Sequence, residues 1–363
     1  MKRYRQILLH AGLSKTGSTS IQANCRRYRG FLLAHGIVYP QFSFGDRPFT
    51  MHSIPLTAAI TGSGKYGLRL HRRFPGVSDK VIAACRAQLH TVLAAGRGED
   101  LLLSTELVAD YDDGDMQALK ALLLEHGDRV RVLAYIRSPQ SVLESMLQER
   151  VKAAAKVDPL ALVGRVRHKL ENLQRNFTDS LEVINFHEAQ SHPLGLVGSF
   201  LTRLGLLEED LSELTFSSGN ERISMEAFQL MSAINQRFPW GGEQAGFQRK
   251  PHDMDGLMRL PGQPFQLQGF AGSDVYKACM EEAAWLESRL GFRFPETTRA
   301  SPGPLWQDDT LLALHSTISA ILQPQLRRYC AEYLESQAAF LAASRPVTAA
   351  ALLAIGQRLA LSA

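Results

Sequence analysis

Residues 7–22, ILLHAGLSKTGSTSIQ, constrain the fold of this chain more than any other stretch. An unbroken apolar run, Ile7-Leu8-Leu9-His10-Ala11, has the length and bulk of a strand buried on both faces. It breaks into a small-residue loop, Gly12-Leu13-Ser14-Lys15-Thr16-Gly17-Ser18-Thr19-Ser20, and resumes as a helix. A strand, a loop with one lysine and a helix N-terminus together make an anion cradle. Loop N–H groups point at the anion, the helix dipole adds partial positive charge, and the lysine adds a full one. The plainer reading of the same residues is an ordinary βα turn.

The lysine's position separates this loop from that of the nucleotide triphosphatases, which need Gly-x4-Gly-Lys-Ser/Thr with the lysine directly after the second glycine. Lys15 instead lies after Gly12 and before Gly17, inside the turn. A second segment, RVRVLAYIRSPQSV at 129–142, carries another apolar run that ends at Arg137. Ser138 then stands where a helix cap belongs and Pro139 at the first helical position, and the helix continues through Ser141, Ser145 and Gln148. An arginine at a strand's end can fork onto a phosphate, and a serine two turns into the following helix can donate a second bond. Arg137 and Ser145 have that spacing. Taken singly, Arg137 also reads as a surface ion-pair residue and Ser145 as a small packing residue.

Together the two segments resemble the donor-binding motifs of sulfotransferases that use 3′-phosphoadenosine 5′-phosphosulfate (PAPS). Lys15-Thr16-Gly17-Ser18-Thr19 resembles their 5′-phosphosulfate loop, and Arg137 with Ser145 their 3′-phosphate motif. Phe186-His187-Glu188 is a looser echo, and the 218–235 stretch, with Asn220, Arg222 and Ser224, resembles bacterial glycan-modifying members. The resemblance spans about residues 6–295.

The resemblance implies a P-loop-like, three-layer α/β fold and transfer of a sulfuryl group from PAPS, without a metal, to an acceptor hydroxyl on a carbohydrate or glycolipid. Within it Lys15 would neutralise charge on the bridging oxygen and 5′-phosphate. The loop from Thr16 to Ser20, through the N–H groups of Gly17, Ser18 and Thr19 and the hydroxyls of Ser18, Thr19 and Ser20, would hold that phosphate. Arg137 and Ser145 would hold the 3′-phosphate. Two residues compete as the base. Glu106 follows a strand that carries a histidine in small-molecule members, and several glycan and protein-tyrosine members use a glutamate. His52 sits between a polar loop and an apolar helix, and could reach the cleft from the opposite lip. Two other readings stand beside this one. A nucleotide kinase-like phosphotransferase would use Glu106 as a magnesium ligand, and a non-catalytic member would bind a glycan or a partner protein.

Bulk properties narrow the field. With 363 residues and 45% hydrophobic content the chain can bury a large core. A formal charge of +4 is too mild to make nucleic acid the main partner, although Arg26-Arg27-Tyr28-Arg29 and His71-Arg72-Arg73 are local basic runs. The four cysteines, Cys25, Cys85, Cys279 and Cys330, are dispersed, which suggests neither a metal site nor a disulfide framework and fits a cytoplasmic protein. No stretch has the length to cross a bilayer, and the apolar run after the basic N-terminus is too short for a signal sequence.

Strands expected near 7–11, 36–40, 100–104, 130–136 and 181–186 alternate with helices at 18–35, 79–95, 115–126, 139–155, 160–176 and 193–204. That alternation predicts a parallel sheet covered on both faces, with Lys15, Glu106 and Arg137 on the rim at the strands' C-terminal ends. The 61–78 stretch reads as a mobile insertion over the cleft, and the loops at 41–78 and 247–270 as the acceptor's surroundings. His10 is expected buried within the first strand. Helices at 224–235, 274–290, 311–343 and 347–361 follow, after which a division into a 1–300 α/β domain and a 301–363 helical extension is expected. The last helices offer a surface for homo-oligomers.

Overall fold

The computed structural model describes residues 3–44, 47–49, 51–60, 78–153, 159–217, 222–240, 247–250, 252–267, 273–295, 303–321 and 323–362. Nearly all of the expected insertion, with His71, Arg72 and Arg73, lies outside these residues, as do Asn220 and residues 301 and 302 of the linker. Two compact units divide the chain. The first comprises 1–142, 164–219 and 282–295, and the second 143–163, 220–281 and 296–363.

The first unit is α/β. Its elements run β1 (Gln6–Ala11), α1 (Ser18–Arg27), α2 (Arg29–Ala34), β2 (Ile37–Val38), β3 (Ser43–Phe44), β4 (Arg47–Pro48), α3 (Ser53–Ile60), α4 (Asp79–Ala95), β5 (Asp100–Thr105), α5 (Asp113–His126), β6 (Val130–Ile136), α6 (Pro139–Lys152), α7 (Arg165–Asn176), β7 (Leu181–Asn185), α8 (Phe186–Gln190), α9 (Gly195–Arg203) and α10 (Glu208–Ser212). Helix α6 continues into the second unit. The sheet is five-stranded in the order β2-β5-β1-β6-β7, and every pairing in it is parallel. All six residues of β1 and all six of β5 are buried, as a sheet covered on both faces requires. Leu8, Leu102, Leu133 and Tyr135 share one core with Ile21 and Cys25 of α1 and Phe200 and Leu201 of α9. The alternate residues Ile7, Leu9, Leu101, Leu103 and Val132 are fully buried as well.

Local chemistry explains where the boundaries fall. Ser78 and Asp112 cap α4 and α5 by accepting from the N–H groups of Val81 and Asp115. The single helix expected over 18–35 breaks at Tyr28, whose hydroxyl donates to the Thr215 carbonyl. The loop expected at 41–51 holds the short hairpin β3–β4.

The second unit is helical. It contains α11 (Met225–Arg237), the first part of α12 (Asp274–Leu290), α13 (Asp308–Ser319), α14 (Pro324–Leu341) and α15 (Pro346–Ser362). Trp306, Leu314, Leu326, Leu334, Leu352 and Leu359 form its core with Leu230, Met231 and Ile234. The helix expected over 311–343 is two helices, because Pro324 has no N–H to donate and starts a new one. Among the described residues no helix is long and apolar enough to cross a membrane.

Candidate functional site

Parallel pairing sets three loops side by side. Ala11 is in register with Thr105, and His10 with Leu133, so the chain leaves β1, β5 and β6 at one edge of the sheet. Lys15, Glu106 and Arg137 follow those three strand ends. The Gly12 N–H donates to the Thr105 carbonyl at 2.8 Å, extending the β1–β5 ladder into the loop.

The loop is tightly specified. Lys15 adopts φ 62° and Gly17 φ 76°, both left-handed. Only glycine takes that region without penalty, so the turn is natural at Gly17 and strained at Lys15. Thr16, expected in the phosphate contact, is buried, and its hydroxyl donates to the Leu13 carbonyl at 2.8 Å, closing the turn. Gly17 is the N-cap of α1 and supplies no side-chain cap. The first N–H groups of α1 therefore carry the helix's positive end without a side-chain acceptor at the cap. Ser18 is only 4% exposed, and its hydroxyl has no hydrogen-bond partner among the described residues. A buried hydroxyl left unpaired at a helix N-terminus fits an anion acceptor. Thr19 is exposed and Ser20 partly so.

Arg137 braces this loop from β6. Its Nη1 donates to the Lys15 carbonyl oxygen at 2.9 Å and its Nε to the Ser141 hydroxyl at 2.8 Å. Its guanidinium carbon lies 5.0 Å from the centre of the Phe186 ring, a cation–π distance. Neither Ser141 nor Phe186 was an expected site residue. Ser141 lies in the first turn of the helix that follows Arg137 closely in sequence, while Phe186 came only within the looser Phe186-His187-Glu188 echo. Ser145 is partly buried, two turns into α6, on the stretch that belongs to the second unit.

Glu106 stands beside the loop. A β-carbon on Gly12 would overlap the Ser18 hydroxyl and lie 3.2 Å from Glu106 Cγ, so the carboxylate arm and the unpaired hydroxyl flank one point. Ser53 fixes the Glu106 backbone. Its Oγ accepts from the Glu106 N–H at 3.3 Å and pairs with Thr105 Oγ1 at 3.0 Å.

His52, the rival base, is committed elsewhere. Its Nδ1 accepts from the Ser104 N–H at 3.1 Å, and its Nε2 bonds the Pro40 carbonyl at 3.0 Å. An N–H can only donate and a carbonyl only accept, which fixes the tautomer and occupies both nitrogens. Burial holds its pKa down to about 3. His52 thus ties the segment after β2 to β5 and offers no lone pair for proton abstraction. His10 is buried in β1 as expected, with Nδ1 2.8 Å from Ser104 Oγ and a pKa pushed down by burial to about 4. Among the described residues no cluster of three or more His, Cys, Asp or Glu side chains could hold a metal ion.

No family profile matches the chain, and no curated protein sequence matches it. Solved structures do. A sulfotransferase from Alicyclobacillus acidocaldarius is 16% identical, with 65% of this chain and 93% of that one covered and a TM-score of 0.36. The sulfotransferase domain of the Synechococcus PCC 7002 olefin synthase is 16% identical, with 81% and 98% covered and a TM-score of 0.34. A structure of the PezAT toxin–antitoxin system of Streptococcus pneumoniae is 14% identical, with 65% and 86% covered and a TM-score of 0.28. All three overlaps are loose.

Proposed function

We propose that this protein transfers a sulfuryl group from PAPS to a hydroxyl, on a carbohydrate or glycolipid acceptor. The observation that supports it most is the bond between Arg137 and the Lys15 carbonyl, which joins two cationic residues into one strand-edge site beside an unpaired helix-terminal hydroxyl. In this reading the N–H groups at the head of α1 and the Ser18 hydroxyl bind the 5′-phosphate. The Lys15 ammonium neutralises the bridging oxygen, and Arg137 reaches the 3′-phosphate. Ser145 is assigned to that phosphate by its sequence spacing from Arg137. Glu106 takes the acceptor's proton as the acceptor oxygen forms its bond to sulfur. The S–O bond to the 5′-phosphate breaks, its electron pair stays on the departing adenosine 3′,5′-bisphosphate, and charge stabilisation with positioning supplies most of the rate.

One observation favours a second reading. A carboxylate at the end of the strand beside β1, next to a loop hydroxyl, is also the arrangement that holds magnesium in P-loop phosphotransferases. A thermal-shift titration separates the two. Adenosine 3′,5′-bisphosphate is expected to stabilise the protein in EDTA, by about 2.7 kcal/mol at a hundredfold excess over its dissociation constant. ATP with magnesium is expected to leave it unchanged. No shift with millimolar adenosine 3′,5′-bisphosphate would overturn the sulfotransferase reading, and a shift with magnesium-ATP alone would favour the second.

A further inference from the structure

Lys15 holds a left-handed backbone although it carries a side chain. Such a conformation persists only where its surroundings over-determine it. The loop supplies one restraint of its own, the Thr16 hydroxyl on the Leu13 carbonyl. A second comes from outside, as Arg137 Nη1 grips the Lys15 carbonyl at 2.9 Å. Arg137 is in turn fixed before any ligand arrives, because Ser141 Oγ accepts from its Nε and the Phe186 ring lies beneath its guanidinium. Phe186 also borders the loop itself: its Cε2 lies 3.6 Å from where a Gly17 β-carbon would sit.

We propose that Arg137 is a positioning residue for the phosphate loop, so that one side chain couples the loop's 5′-phosphate cradle to recognition of the donor's 3′ end. The peptide geometry gives the mechanism. Across a planar trans peptide the C=O and the next N–H point in opposite directions. With the Lys15 carbonyl held by Arg137, the direction of the next N–H, that of Thr16, is fixed as well, away from the guanidinium. The fork matters, since its Nε and Nη1 donors are held in one rigid plane and reach Ser141 and the Lys15 carbonyl at once, whereas a lysine ammonium is a point charge on a flexible stem. The nucleotide part of this inference rests on the donor reading above; the loop part does not.

The test uses Arg137→Lys in the full chain, with Ser141→Ala as a milder second variant that keeps the guanidinium. In nucleotide-free protein, amide hydrogen exchange across residues 13–19 is expected to speed up in Arg137→Lys and less so in Ser141→Ala, with α5 unchanged. Affinity for adenosine 5′-monophosphate, which has no 3′-phosphate, is expected to fall about tenfold in Arg137→Lys, the size of losing one charge-assisted bond. Loop exchange at the wild-type rate would overturn the positioning role whatever nucleotide binds. Unchanged affinity for adenosine 5′-monophosphate, with weakened adenosine 3′,5′-bisphosphate, would confine Arg137 to the 3′-phosphate and overturn the coupling. Wild-type protein that binds neither nucleotide would overturn the donor reading and the coupling with it, and loop exchange would then decide the positioning role by itself.

Discussion

Leu196, at the start of α9, fills the space into which a β-carbon on Gly17 would project, and Gly17 has φ 76°. Two separate costs therefore meet at this one glycine. The left-handed backbone costs an alanine about 1–2 kcal/mol. The overlap costs less, because the leucine's methyl lies at the end of a flexible side chain. Gly17→Ala is expected to lower unfolding free energy in urea by about 1–3 kcal/mol. Adding Leu196→Ala should relieve the overlap and leave the backbone cost. A Gly17→Ala protein as stable as wild type would contradict the left-handed turn.

Lys15 offers the complementary experiment. Glycine and alanine both remove its ammonium, but only glycine relaxes its φ of 62°. Lys15→Gly is expected to be more stable than Lys15→Ala by about 1 kcal/mol in thermal or urea unfolding. Both variants are expected to lose at least tenfold in affinity for adenosine 3′,5′-bisphosphate, measured by calorimetry. Turnover near the wild-type level in either variant would remove the ammonium from the mechanism.

The sheet and the loop were legible because each obeys one local rule. Buried apolar runs mark β1, β5 and β6, and a small-residue turn with one lysine marks the cradle. What escaped was long-range. Nothing in the sequence near His52 shows that Ser104, fifty-two positions away, will donate to its ring. The same holds for Ser53, which meets Thr105 and the Glu106 backbone only after α3 packs against β5. Pro324 was a local signal within reach, since a proline inside an apolar periodic run starts a new helix.

The two candidate bases give opposite expectations. Glu106→Gln keeps the shape of the side chain while removing the proton acceptor. It is expected to slow release of adenosine 3′,5′-bisphosphate from PAPS, with a glycan mixture as acceptor, by about 10²–10⁴-fold. Binding of the bisphosphate should stay within a few-fold of wild type. His52→Phe retains a ring but leaves the Ser104 N–H buried without its acceptor, at a cost of about 1–3 kcal/mol of stability. Turnover per folded molecule should survive that change. Full activity in Glu106→Gln would remove the carboxylate from proton transfer.

Acid stability should report the two buried imidazoles directly. In the unfolded chain each takes a proton near its ordinary 6.5, whereas burial delays protonation of the folded protein to about 4 at His10 and about 3 at His52. Below 6.5 the unfolded state thus binds protons that the folded state refuses, and stability falls as pH falls. Each group contributes a slope of about 1.4 kcal/mol per pH unit, so the pair adds about 3 kcal/mol per unit between pH 6 and 4. Below the folded pKa of His10 only His52 continues to add to the slope, until its own folded value is reached. Urea unfolding from pH 7.5 to 4.5 measures this, and His52→Phe should remove about half of the contribution. A wild-type slope no steeper than that of the variant would show that His52 is not held neutral in the folded protein.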